Sequence, residues 1–221
     1  MSGTKAQACS LVLIAHNDLE RCQRRLERDL VPSLRHYAAW QLELIVIDNS
    51  ERRLDALART VASLPWKSQY IWHEGANLFY GPSLNLAANL AEHPYLVYAC
   101  MNHGRMVDPT WLQDLLQPMW QDERVAMTGH RYPSPPSESL GFPAGLPPFH
   151  IQGGLFAARR EVIRDHPYDE GQYIHWGSDI WQCYRLMTAG FLLEQVPTVI
   201  SVWRENAGPG AWKYIHDHSE A

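Results

Sequence analysis

Two apolar runs joined by one amphipathic helix constrain the fold of this chain more than any other feature. Ser10 to Ala15 (SLVLIA) and Leu42 to Asp48 (LELIVID) have the length and composition of strands that are buried on both faces of a sheet. Between them, Leu19 to Leu34 carries apolar residues at spacings of three and four, and Asp18 can cap its start. Strand, helix and strand form a βαβ unit, which predicts parallel strands and a right-handed crossover.

The same alternation continues through the first half of the chain. We predict a helix over Leu54 to Leu64, a strand over Gln69 to His73, a turn at Asn77 to Asn85 that opens a further helix, and a strand over Tyr95 to Met101. Polar residues follow each of these strands. Because ligands bind at the carboxyl ends of strands in open α/β sheets, we expect a site along this edge.

The turn from Asn102 to Arg105 is the most suggestive part of that edge. It lies between the last of these strands and the helix that begins after Asp108-Pro109. An ordinary Gly-containing loop between a strand and a helix explains the same residues equally well.

The second half contains an irregular, proline-rich segment from Arg131 to Phe149. Periodic structure resumes with a strand over Ile151 to Ala158, and a helix over Asp179 to Ala189 ends at Gly190. We therefore do not expect the irregular segment to be a linker between two domains. We expect a single domain over residues 1–221.

Composition and charge exclude some classes of partner. The 221 residues contain 19 Lys and Arg against 24 Asp and Glu, a formal net charge of −5, and show no basic stripe, which argues against nucleic acid. No apolar run approaches the roughly 18 to 20 residues of a membrane span. The four cysteines form no zinc pattern and the start of the chain shows no signal peptide, so we expect a reduced, cytoplasmic protein.

Seven segments, in this order, resemble a family 2-type glycosyltransferase with the GT-A fold. They are LVLIAHND, LELIVIDNS, NLFYGPSLNLA, MVDPTWLQDL, IQGGLFAARREVI, PYDE and GSDIWQCYRLMTAGF. The resemblance covers nearly the whole chain, although Phe79 stands where the family commonly has Gly. It implies an α/β, Rossmann-like GT-A fold with a mixed, mostly parallel sheet flanked by helices. It also implies a nucleotide-binding half at 1–104 and an acceptor-binding half at 105–221.

The resemblance implies transfer of a sugar from a nucleotide-diphosphate sugar, with a UDP-sugar favoured, to an acceptor hydroxyl with inversion. The acceptor hydroxyl would belong to a saccharide, a lipid or a natural product. By the same resemblance, Asp179 falls at the Asp of the family's Glu-Asp element and is the general base that takes the acceptor proton. Asp179 is also a favoured residue type for the N-cap of the following helix, and both roles can hold.

The family's Asp-x-Asp motif is absent, because its positions hold Asn102, His103 and Gly104. One interpretation is that Arg105 binds the diphosphate and no metal is required. The alternative is a divalent cation, manganese or magnesium, with His103 as a lone ligand. His216 and His218 are candidates to complete such a site, or they are surface histidines near the end of the chain. A loop that binds no phosphate remains the third possibility.

The remaining site residues also come from the resemblance. The donor pocket would be lined by Ala15, His16, Asn17, Asp48, Asn77, Gly81, Asn85, Asn102, His103, Gly104 and Arg105. In that pocket Asp48 would bind the base, unless it only hydrogen-bonds its own turn, and Asn85 would form a wall, unless it is a local turn or helix cap. The acceptor would approach Gly153, Gly154, His175 and Trp176. The alternative for the two glycines is a tight bend in a strand, and the alternative for Trp176 is packing in the core.

Two other functions remain open. Loss of the Asp-x-Asp motif favours an inactive GT-A-like protein that binds sugar or nucleotide or serves as a scaffold. A nucleotidyltransferase would also hold a nucleotide in loops between strands and helices. The absence of a Gly-rich loop with a basic residue after the first strand speaks against that class.

Overall fold

The computed structural model describes residues 7–74, 77–100, 105–106, 108–134, 148–174, 177–196 and 200–201. The strands are β1 (Ala8–Ala15), β2 (Gln41–Asp48), β3 (Lys67–Trp72), β4 (Tyr95–Ala99), β5 (Arg105–Met106), β6 (Val125–Pro133), β7 (Phe149–Arg159), β8 (Leu192–Gln195) and β9 (Ile200–Ser201). The helices are α1 (Leu19–Arg24), α2 (Val31–Leu34), α3 (Asp55–Ala62), α4 (Tyr80–Leu90), α5 (Trp111–Gln121), α6 (Arg160–Asp165) and α7 (Ser178–Thr188).

A seven-stranded mixed sheet carries strands from both halves of the chain, in the order β3-β2-β1-β4-β7-β6-β8. The predicted βαβ unit is present, with β1 parallel to both β2 and β4, and β2 parallel to β3. β7 runs antiparallel to β4 and β6, and β8 runs parallel to β6. This arrangement confirms the predicted mixed sheet flanked by helices.

Each face of the sheet is covered by its own set of helices, because side chains alternate between the two faces of a strand. On β1, Leu11 and Leu13 pack with α1, α3 and α5, while Val12 packs with α4, α6 and α7. Both faces are therefore buried, which explains why the runs SLVLIA and LELIVID are almost continuously apolar.

The predicted first helix is present but irregular. A π-helical segment, Arg25–Leu30, joins α1 to α2, and a 3₁₀ turn, Arg35–Tyr37, follows α2. The irregularity ends just before Pro32, which has no backbone N–H to donate to the preceding turn. The segment buries Arg25 and Asp29, whose side chains lie 4.0 Å apart.

The helix after β3 begins earlier than the sequence predicts. α4 starts at Tyr80, so Gly81 and Asn85 lie inside it and not in the turn that opens it. The side chain of Asn77 accepts a hydrogen bond from the Phe79 N–H at 2.7 Å, which orders the chain directly before the first helical residue.

The predicted end of the last helix is confirmed. Gly190 has a φ of 91°, and its N–H donates to the carbonyl of Met187 while the N–H of Phe191 donates to that of Leu186. These two bonds form a Schellman motif, which needs a left-handed residue at this position. No helix among the described residues combines the length and apolar composition that crossing a membrane requires.

Candidate active site

A cleft of about 390 Å³ lies where the carboxyl ends of β1, β2 and β4 meet the start of α4. Its lining residues are Ile14, His16, Asp18, Arg21, Cys22, Asn49, Asn77, Phe79, Tyr80, Tyr98 and Cys100. The position is the one expected for a ligand site in an open α/β sheet. Of the predicted donor residues in the described part of the chain, His16 and Asn77 line this cleft.

His16 and Asn17, directly after β1, form hydrogen bonds with the residues directly after β2. Nδ1 of His16 lies 2.9 Å from the carbonyl oxygen of Asn49. Since a carbonyl only accepts, Nδ1 of His16 carries a proton in this contact. The N–H of Asn17 donates to the hydroxyl of Ser50 at 2.7 Å. The side chain of Ala15 is buried in the core, so Ala15 contributes backbone at this edge.

Asp48 orders the loop that follows β2. The residue is fully buried, and its carboxylate accepts hydrogen bonds from the N–H groups of Ser50 and Leu54, each at 3.0 Å. The hydroxyl of Tyr70 donates to the same carboxylate. These three donors bind the carboxylate from within the protein, and the predicted contact between Asp48 and the base stays a prediction.

Phe79 has an unusual backbone at the mouth of the cleft. Its φ of 60° and ψ of −169° lie in a region that is essentially restricted to glycine, at a typical cost of about 1–3 kcal/mol. The residue is 39% exposed. The sequence shows this departure directly, because Phe79 replaces the Gly that the resemblance leads us to expect.

Gly81 and Asn85 connect α4 to the segment 167–170. A Cβ atom on Gly81 would lie 3.0 Å from the hydroxyl of Ser178 and 3.1 Å from the carbonyl of Asp169. The Asn85 side chain accepts from the N–H of Tyr168 and donates to its carbonyl and to Glu170. Both residues thus have structural contacts, and their predicted role in donor binding remains a prediction.

Asp179 lies in the first turn of α7 and not at its N-cap, which is Gly177. One carboxylate oxygen accepts from the N–H of Gly153 at 3.0 Å, and the other accepts from the N–H of Ile180 at 2.9 Å. The side chain remains 26% exposed. The carboxylate is therefore fixed in orientation by backbone donors and still accessible to a reactant.

Gly153 is tightly packed between Asp179 and the cleft. A Cβ atom at this position would lie 2.6 Å from the hydroxyl of Tyr80 and 3.3 Å from the carboxylate of Asp179. Tyr80 lines the cleft, and its ring packs edge-on against Tyr98 and Tyr168. Tyr80 thus links the cleft to the aspartate. Gly154 accepts a hydrogen bond from the N–H of Cys100, and acceptor binding by these glycines stays a prediction.

His150, which the sequence did not indicate, lies beside Asp179. Its Nε2 is 4.0 Å from the nearer carboxylate oxygen, and its other ring nitrogen is 3.5 Å from the hydroxyl of Ser134. Burial lowers the pKa of His150, and the negative charge of Asp179 offsets part of this shift. At neutral pH the imidazole is therefore uncharged. The contact joins two residues that no local sequence pattern relates.

Several predicted residues lie outside the described part of the chain, namely Asn102, His103, Gly104, His175, Trp176, His216 and His218. Of Arg105 only the backbone is described, in β5, which pairs antiparallel with β9. The described residues contain no group of three or more His, Cys, Asp or Glu side chains that fits a metal ion. No metal ligand set is therefore available from the described cleft alone.

Comparison with known proteins gives a match at the level of structure only. The sequence matches no family model, and a search of curated proteins finds no significant match. A mannosyltransferase from Pyrobaculum calidifontis, solved with GDP-Man and Mn²⁺, is similar with a TM-score of 0.69 at 15% identity, over 95% of this chain and 61% of that chain. This chain thus spans about three fifths of that protein.

Two further solved structures have the same architecture. Glucosyl-3-phosphoglycerate synthase from Mycobacterium tuberculosis, solved with Mn²⁺, UDP and phosphoglyceric acid, has a TM-score of 0.61 at 17% identity, over 86% of this chain and 68% of that chain. A CMP:2-keto-3-deoxy-manno-octonic acid synthetase complexed with CTP has a TM-score of 0.53 at 15% identity, over 96% of this chain and 98% of that chain. Together with the mixed seven-stranded sheet, these likenesses show that the chain has the GT-A fold of nucleotide-sugar glycosyltransferases.

Proposed function

We propose that this protein is a glycosyltransferase that moves a sugar from a nucleotide-diphosphate sugar to an acceptor hydroxyl with inversion. The observation that carries the proposal is the Asp179 carboxylate, which backbone donors hold beside the cleft at the carboxyl edge of the sheet. Glycosyl transfer with inversion needs one such base on the face of the sugar opposite the leaving group.

The proposed reaction needs few groups from the protein. The Asp179 carboxylate takes the proton from the acceptor hydroxyl while that oxygen forms a bond to the anomeric carbon. The bond from the anomeric carbon to the diphosphate oxygen breaks, and the nucleoside diphosphate leaves with the electron pair. The neutral ring of His150, 4.0 Å from Asp179, adds no positive charge that would weaken the base.

The developing charge on the diphosphate requires a positive partner. Arg105 is our first candidate, because a guanidinium can bind two phosphate oxygens at once. Arg21 is a second candidate, since it lines the cleft, where its Nε lies 3.0 Å from the carboxylate of Asp18. A divalent cation held by His103 is the alternative, supported by the Mn²⁺ in the solved structures of two similar proteins.

Calorimetric titration of UDP and of GDP into the protein, first with EDTA and then with manganese, tests the donor site. Binding in EDTA supports a metal-free site built on arginine, and binding only with manganese supports the site at His103. Absence of binding under both conditions contradicts the proposal and favours the scaffold alternative. Release of UDP from a UDP-sugar in the presence of an acceptor panel then tests turnover.

A second candidate function is nucleotidyl transfer, which one comparison favours. The synthetase complexed with CTP is matched over 98% of its own chain, whereas the two glycosyltransferases are matched over 61% and 68%. Release of pyrophosphate from a nucleoside triphosphate on addition of a sugar would identify this activity. A glycosyltransferase releases none under those conditions.

A further inference from the structure

His150 is a buried ring with a polar side chain opposite each of its two nitrogens. The residue is 7% exposed and lies at the start of β7. Its Nε2 is 4.0 Å from Oδ2 of Asp179, in the first turn of α7, and its Nδ1 is 3.5 Å from the hydroxyl of Ser134, directly after β6. Three elements of the fold thus contribute one side chain each to a short polar chain.

The chemistry of these two neighbours determines which nitrogen of the His150 ring carries the proton. The ring is neutral at neutral pH, because burial lowers its pKa, and a neutral imidazole has one N–H. An ionised carboxylate only accepts hydrogen bonds, whereas a hydroxyl can donate or accept. The Ser134 hydroxyl can therefore donate to Nδ1, which leaves the N–H on Nε2, on the side of Asp179. The opposite tautomer would set a lone pair against a negative charge.

The Asp179 carboxylate has different surroundings at its two oxygens. Oδ2 accepts from the N–H of Gly153 at 3.0 Å and also lies opposite the His150 ring, so donors face both of its lone pairs. Among the described contacts, Oδ1 accepts from the N–H of Ile180 at 2.9 Å, which uses one of its lone pairs. The separation of 4.0 Å is longer than a hydrogen bond, and contacts of this kind are often long in a free enzyme and shorten in the substrate complex.

We propose that His150 is the positioning residue of the Asp179 base: its Nε2–H holds Oδ2, so that Oδ1 takes the proton of the acceptor hydroxyl. The inference rests on the proposed function and adds the residue that orients the base. The acceptor oxygen bonds to the anomeric carbon as its proton moves to Oδ1, and the nucleoside diphosphate leaves with the electron pair. The ring keeps its own proton throughout. A neutral donor suits this role, since an imidazolium would favour the carboxylate form and weaken the base.

The titratable groups around this pair leave Asp179 in control of the ring. Three groups that interact electrostatically with Asp179 are uncharged at neutral pH, because burial raises the pKa of the thiol to about 12 and the pKa of each phenol well above its usual value. They are Cys183 on α7, Tyr80 on α4 and Tyr168 after α6. On β6, the Tyr132 ring lies 6.3 Å from the His150 ring, and the Arg131 guanidinium donates to the carbonyl of Leu193. The charge of Asp179 raises the pKa of His150.

NMR titration of the histidine ring nitrogens tests the pair without any substrate. The signal of His150 is the one that is lost in His150→Gln. We expect it to show the N–H on Nε2 and a pKa below 6.5, which should fall further in Asp179→Asn, because the charge that raises it is gone. Asp165→Asn, at an exposed aspartate, is the matched control and should leave this pKa unchanged. An N–H on Nδ1, or an equal pKa in Asp179→Asn and wild type, would overturn the inference.

Release of UDP or GDP from UDP- and GDP-sugars, with an acceptor panel, measures the effect on turnover. We expect His150→Ala to lower kcat by about 10- to 100-fold, since displacement of a catalytic group by about 1 Å can cost 100-fold. The affinity for UDP and GDP should not change. His150→Gln keeps an N–H donor near the position of Nε2 and should restore most of the rate. His36→Ala, at an exposed histidine in the 3₁₀ turn, is the control and should turn over as the wild type does.

The pH profile separates positioning from packing. The wild type should lose kcat as the pH falls below 6.5 and the His150 ring becomes charged, and this step should be absent from His150→Gln, which does not titrate. If His150→Gln is as slow as His150→Ala and both unfold at lower urea concentration, the ring serves packing and the inference fails.

Two further results distinguish the inference from the proposed function. Equal kcat in the wild type, His150→Ala and His150→Gln would show that Asp179 needs no partner, while the proposed function stands. If the wild type binds neither UDP nor GDP, with EDTA or with manganese, the proposed function fails and the role of His150 beside a base fails with it.

Discussion

At the residue scale, the Asp179 carboxylate is the group on which the proposed chemistry depends. We expect Asp179→Asn to lower turnover by on the order of 100-fold or more, because an amide cannot take the acceptor proton. Donor binding should persist, since the amide oxygen can still accept the N–H of Gly153. Steady-state kinetics and nucleotide titration on the same preparation measure the two effects.

Asp165→Asn is the matched control for this substitution. Asp165 is an exposed aspartate at the end of α6 and should tolerate the same change without loss of turnover. Equal activity of wild type and Asp179→Asn would remove the proposed base. Loss of nucleotide binding in Asp179→Asn would show that the carboxylate serves the donor site and not the acceptor.

At the scale of elements, the Asn85 side chain in the middle of α4 connects this helix to Tyr168 and Glu170. We expect Asn85→Ala to lower the free energy of unfolding by on the order of 2–3 kcal/mol, because the buried N–H and carbonyl of Tyr168 lose their partner. Urea denaturation followed by far-UV circular dichroism measures this change.

Asn89→Ala on the same helix is the comparison. Asn89 is exposed, so its replacement should change the free energy of unfolding by no more than about 0.5 kcal/mol. If both variants lose equal stability, the contacts of Asn85 do not hold α4 against Tyr168.

At the scale of the whole molecule, a buried glutamate joins four parts of the structure. The carboxylate of Glu43 on β2 accepts from Ser10 on β1, from Gln69 on β3 and from the N–H of Glu92 after α4. Burial by itself raises the pKa of Glu43, but these hydrogen bonds outweigh it and the net shift is downward.

This shift predicts the acid stability of the protein. A pKa that is lower in the folded state contributes stability above the unfolded value of 4.5, and this contribution is lost as the pH falls below 4.5 toward the folded value. We expect the urea midpoint of the wild type to fall more steeply below pH 4.5 than that of Glu43→Gln, which has no charge at this position. Parallel curves for the two proteins would contradict this account.

Much of the fold follows from local sequence patterns. The apolar runs predicted β1 and β2, and Gly190 predicted the end of α7, because strand burial and helix capping depend on residues close together in the chain. The start of α4 did not follow, since it depends on the contact of Asn77 with Phe79 and on the close packing of Gly81.

The sequence by itself determined most of the order of strands and helices and the polar character of the strand ends, because both arise from local periodicity. Only the tertiary structure decided which of these polar groups meet. It placed His150 beside Asp179, it directed Asn85 to Tyr168, and it buried Glu43 between Ser10 and Gln69. These contacts join residues far apart in the chain, and they depend on how the sheet aligns its strands, which no local pattern specifies.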